Sequence, residues 1–170
     1  MKKSRIEKLI PIANQIFIRQ YGDAKDEYDK SKETNARKRN EILDKAILRA
    51  DERNQYYIKS NYDGKVSGFG ITVSLSGLRP ALAMYFNESG DVKTRPILEA
   101  LAKIIAMDGE YNKEIDGVNL SLKLPEDLSD RTLVDLAINP EMNVYLPVLK
   151  KYVLEATTAM KQVIRTYELR

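Results

Sequence analysis

The stretch SGFGITVSLSGLRPALAMYF, Ser67 to Phe86, decides the fold class. It is apolar, yet Gly70, Ser74, Gly77 and Ala81 recur at steps that place them on one side of a helix. A second side carries Ile71, Leu75, Leu78, Leu82, Tyr85 and Phe86. Glycine inside a helix costs about 1 kcal/mol relative to alanine. A chain that accepts this cost needs room for another helix to come close. Arg79 is the only charge in the stretch. The expectation is a buried central helix, kinked near Ser76–Gly77 where Pro80 removes an amide donor, with one basic side chain aimed outward.

The flanking sequence is helical too. Ile6, Leu9, Ile10, Ala13, Ile16, Phe17 and Tyr21 follow helical spacing over residues 4–21 and predict a helix closed by Gly22. Residues 23–40 are charged and polar, and read as a solvated helix end or a mobile connection. Apolar periodicity from Leu43 to Ile58 predicts a helix from about Ala36 to about Tyr57, followed by a turn at Asn61–Gly64. Pro96 suits the first turn of a helix ending at Asp108–Gly109. Residues 118–124 alternate between apolar and polar after an Asp116–Gly117 pair, which predicts a short β-hairpin insertion near 111–124. A short helix is expected through Ala137, broken at Asn139–Pro140. The last helix is expected from about Tyr145 to Glu168. The fold class is therefore mainly all-α: an antiparallel bundle of about five to six helices, in a single domain spanning 1–170.

Composition narrows the function. A chain of 170 residues buries roughly 70% of its unfolded surface and needs no staples. It has no Cys and no His. Disulfides and thiolate metal sites are ruled out, and the usual general base near neutral pH is missing, which counts against an enzyme. The carboxylates Asp127, Asp130 and Asp135 lack calcium-loop spacing, and the glycines of 64–70 do not form a phosphate loop. No metal site and no cofactor are expected. The apolar run at 66–86 is interrupted by Arg79, Pro80 and several Gly and Ser, so no membrane span is expected, and the compartment is read as cytoplasmic. Net charge is +3, but it is uneven. Residues 108–139 are strongly acidic between two basic halves, a layout that offers basic surface to a polyanion.

The candidate contacts are basic. In the last helix Lys150, Lys151, Lys161 and Arg165 lie off the apolar stripe, where they either track a nucleic acid backbone or form an ordinary solvated side with Glu155 interspersed. Arg79 either converges with Lys93 and Arg95 or pairs with Glu99 or Asp135. Most of the ten Tyr residues fit helix–helix seams better than base-stacking platforms.

SGFGITVSLSGLRPALAMYF, then RPILEALAKII, then YLPVLKKYVLEATTAMKQVIRTYEL, together with RIEKLIPIANQIF near the start, resembles the small subunit of type III-B (Cmr) CRISPR effector complexes. The resemblance implies a non-catalytic subunit. Copies would stack in a ribonucleoprotein filament and contact guide RNA and target RNA through phosphates, alongside other effector subunits. Residues 23–40 and 111–124 depart from the family's all-helical plan. A helical protein–protein adaptor without nucleic-acid binding is the alternative, and it predicts a hydrophobic groove for a partner helix.

Overall fold

The computed structural model describes residues 3–88, 93–108 and 124–170. It is mostly helical with a small sheet. The helices are α1 (Lys3–Ser31), α2 (Ala36–Leu43), α3 (Asn61–Ser76), α4 (Leu78–Phe86), α5 (Arg95–Met107), α6 (Thr132–Ile138) and α7 (Leu146–Ile164). A 3₁₀ segment, Pro140–Tyr145, joins α6 to α7. The strands are β1 (Leu48–Ala50), β2 (Tyr56–Ile58) and β3 (Glu168–Leu169). The hairpin expected at 111–124 lies, apart from Leu124, outside the described residues.

The most buried helix is α5, not the 67–86 stretch. Pro96, Ile97, Leu98, Ala100, Leu101, Ala102, Ile104 and Ile105 are all buried. Its charged pair Glu99 and Lys103 meets along the outer strip, with Lys103 Nζ donating to Glu99 at 2.6 Å. Helices α1 and α7 pack along each other and against α5. They contribute Leu9, Ala13, Ile16 and Phe17 from one and Leu149, Val153, Ala156, Met160 and Val163 from the other.

The 67–86 stretch is two helices. The break is at Gly77, whose φ of 94° belongs to the region that favours glycine. Of the small residues Gly70 faces α7, and a Cβ there would lie 3.5 Å from Thr157 Cγ2, an ordinary contact, so this packing does not require glycine. The expected second side does not hold together, because Leu78 and Leu82 are buried while Ile71 and Leu75 face outward.

Other boundaries also move. Helix α1 runs through Gly22 to Ser31, so the first half of the 23–40 stretch is regular helix. Asn35 caps α2 by accepting from Arg37 N and Lys38 N. The helix expected to reach Tyr57 stops at Leu43 and gives way to an antiparallel hairpin, with Leu48 opposite Ile58 and Ala50 opposite Tyr56. Asp51 Oδ1 accepts from Arg53 N at 2.9 Å and Gln55 N at 3.0 Å, and Asn54 takes a φ of 59° to close the turn. Asn61–Gly64 is the first turn of α3 rather than a separate turn. After α7, β3 adds parallel to β2. Buried Gln20 ties this sheet to the bundle, donating to Pro96 O and accepting from Ile47 N, each at 3.1 Å.

Candidate nucleic-acid interface

Helix α7 sorts its charges by side. Successive residues turn by about 100°. On that geometry the buried residues of α7 occupy its inner side, and Lys150, Lys151, Lys161 and Arg165 fall within one outward arc of about 100°. Glu155, the only acidic residue of the helix, is not interspersed among them. It is 1% exposed and faces inward. There it accepts from Arg5 Nε. Arg5 Nη2 donates to Asp108 at 2.6 Å, and the guanidinium lies 4.7 Å from the Tyr152 ring centroid. Burial pulls the Arg5 pKa down, and the Asp108 and Glu155 carboxylates more than reverse that, leaving it above the ordinary value.

The outward arc therefore carries four cations and no carboxylate. Arg165 Nε donates to Asp63 of α3 at 3.2 Å, half exposed. Among the described residues Lys150, Lys151 and Lys161 have no ion-pair partner. From Lys150 to Arg165 the arc runs about 22 Å along the helix axis.

The remaining sequence candidates meet partners within the chain. Arg79 forms neither expected ion pair. Its Nε donates to Ala137 O at 2.5 Å and its Nη2 to Asn143 Oδ1, so it closes the C-terminal end of α6. Arg95 Nε donates to Phe86 O at 3.0 Å, and its guanidinium sits 4.0 Å from the Phe86 ring centroid. Lys93 lies 3.7 Å from Glu88. Lys93 and Arg95 line a cavity of about 540 Å³ in which Glu41, Asp44, Glu88, Glu99 and Asp130 outnumber the cations. Arg79 instead lines a cavity with Lys150, Asn143 and Pro147, so the three do not converge.

The groove beside the arc escaped sequence reasoning. Helices α3 and α7 run antiparallel, Asp63 meeting Arg165 at one end and Gly77 nearing Lys150 at the other. Between them a groove of about 410 Å³ is lined by Ser67, Gly70, Ile71, Leu75, Thr158 and Lys161, among others. The signal for it was present in α3, which has no charged residue after Lys65.

Among the described residues no three His, Cys, Asp or Glu side chains gather to hold a metal, and no helix is long and apolar enough to cross a membrane. No protein-family model, no curated protein and no solved structure matches this chain.

Proposed function

We propose that the chain is a non-catalytic structural subunit that binds RNA through phosphates, of the kind found as the small subunit of type III-B CRISPR effector complexes. The observation that carries this reading is the outward arc of α7, with Lys150, Lys151, Lys161 and Arg165 and no carboxylate. Cations on a rigid helix give affinity for a polyanion without base recognition. That suits a subunit holding a guide–target duplex whose sequence is read by pairing. The resemblance of residues 67–86 and 145–169 to that family supports the setting: copies of the chain and other effector subunits as partners, in the cytoplasm, with cutting left to other subunits.

Two measurements test it. Reversing Lys150, Lys151, Lys161 and Arg165 to Glu weakens RNA binding and flattens the salt dependence of log K by roughly 2–3. Unchanged affinity and slope remove α7 from the assignment. Affinity purification from the native host, with mass spectrometry and RNA sequencing, recovers effector subunits and repeat-derived guide RNA. Recovery of an unrelated protein and no RNA overturns the family setting.

A further inference from the structure

Helix α3 is apolar on both sides. Its inward side, Tyr62, Val66, Phe69 and Val73, is buried. Its outward side, at steps of three and four, carries Gly64, Ser67, Ile71, Ser74 and Leu75, with no charge. Ile71 is 59% and Leu75 81% exposed. A helix with no charged side after Lys65 belongs in an interior, and the described residues cover only half of it.

The facing wall is α7. Leu154, Thr158 and Lys161 border the groove, and Lys150 borders the adjoining cavity at Gly77. Among the described residues no carboxylate lines either one. The small side chains of Ser67, Gly70 and Ser74 keep the α3 wall low, so that another helix can settle at the close end of the usual 8–10 Å interaxial distance.

We propose that the α3–α7 groove docks an amphipathic helix of a partner protein, its apolar stripe on Ile71, Leu75 and Leu154 and an acidic flank toward Lys150 and Lys161. The two walls select this occupant. One wall is apolar and uncharged; the other is cationic and lacks acid. A helix with acidic residues along one flank complements both, whereas a basic flank is repelled. Lys151 lines neither cavity and stays available to phosphate, and Arg165, half exposed beside Asp63, lies beyond both. The inference goes beyond the RNA reading and stands or falls apart from it.

The test uses the full chain and two fluorescein-labelled peptides of about five helical turns. Both carry a leucine stripe; one has glutamates along a flank and the other lysines. Fluorescence anisotropy measures their binding to the wild-type protein and to Leu75→Asp and Ile71→Asp. Both substitutions sit at exposed positions, and thermal melts confirm that the variants fold. A short single-stranded RNA is titrated in parallel, and sedimentation reports self-association. The glutamate peptide is expected to bind at least about tenfold more tightly than the lysine peptide, a gap of about 1.4 kcal/mol. It is expected to lose at least about tenfold on Leu75→Asp, while RNA affinity stays unchanged. Absent binding, equal binding of both peptides, or binding indifferent to Leu75→Asp overturns the proposal. Self-association lost in Leu75→Asp assigns the face to a second copy and overturns it too. So does RNA affinity that falls with Leu75→Asp as it does with Lys161→Glu, which makes the groove a nucleic-acid site. RNA affinity indifferent to reversal of the α7 cations refutes the RNA reading and leaves the peptide result standing.

Discussion

The two sides of α7 hold opposite charges under opposite conditions. Inside, Glu155 is shut away from water and bound to Arg5, which also reaches Asp108. Outside, Lys150, Lys151 and Lys161 stand on the surface with no carboxylate partner among the described residues. Counted along the chain, Glu155 dilutes the basic stretch. Placed on the helix, it leaves the surface altogether and makes the outer side uniformly basic. Helix phase, more than net charge, determines what a partner meets. The inner charges matter for stability because each is costly to leave unpaired. The outer lysines have no ion-pair partner among the described residues, which leaves them open to a partner.

That contrast can be broken from either side. The largest effect is expected on the inside. Glu155→Ala leaves the nearly buried Arg5 with half of its neutralisation and is expected to cost about 3–5 kcal/mol in urea unfolding. A loss below 1 kcal/mol, on the order of a surface pair, would place the pair with the surface charges. Gly77→Ala comes next. The nearest atom to the new Cβ would be Pro80 Cδ at 3.8 Å, so there is space, and the cost is backbone strain of about 1–3 kcal/mol at a φ of 94° and a ψ of 169°, a region almost reserved to glycine. Gly77 also sets how α4 departs from α3, so this variant tests how firmly the groove's end is held.

An alkaline titration gives the third effect. Burial pushes the Tyr62 hydroxyl well above its ordinary value of 10.0, and the carboxylates of Asp44 and Glu88 add to the push. Below that ordinary value both folded and unfolded chains keep the proton and stability is complete. Above it the unfolded chain ionises first, so stability falls as pH rises, by up to about 1.4 kcal/mol per pH unit for one such group. Tyr62→Phe is expected to flatten that limb in unfolding experiments; an unaltered slope would give the effect to the other buried tyrosines. The smallest effect belongs to the outer side of α7. Reversing Lys150, Lys151 and Lys161 to Glu is expected to change stability by no more than about 0.5 kcal/mol each while RNA affinity drops. A large loss of stability would mean that these lysines serve the fold after all.

The helices were legible where an apolar stripe had room to repeat. The α5 segment 95–107 was readable at both ends, from Pro96 in its first turn to Asp108 at its cap. The weak point of the 67–86 stretch was legible at Gly77, because the residue that can take positive φ stands just before Leu78-Arg79-Pro80. Other features depended on tertiary partners. Tyr56-Tyr57-Ile58 is a good strand composition, but three residues beside Ile47 and Ala50 also fit a helical period. Only the Asp51 turn and Gln20 decide between the two. Strand β3 is two residues long and has no local signal; it exists because β2 is there to pair with. Gly22 did not end α1, since a glycine on an open surface costs about 1 kcal/mol and no more. The basic arc was legible as spacing in α7. Its freedom from acid followed from helix phase as well; what the sequence did not show is the partner that meets Glu155 inside, Arg5, far away in the chain. Arg79 was misread for the converse reason: its partner is a carbonyl at the end of α6, a group that side-chain pattern does not reveal.

The packing of α1 on α7, with Tyr57 paired to Glu168 in the sheet, has a consequence for how the chain is made. At ribosomal speeds of about 5–20 residues per second, roughly 10–30 s separate the emergence of α1 from that of α7. For that interval Leu9, Ala13, Ile16 and Phe17 lack the cover of α7, and the apolar side of α5, when it arrives, has α1 and α4 but not α7 to pack against. The nascent chain is thus most exposed to misassociation after α5 has emerged and before α7 has.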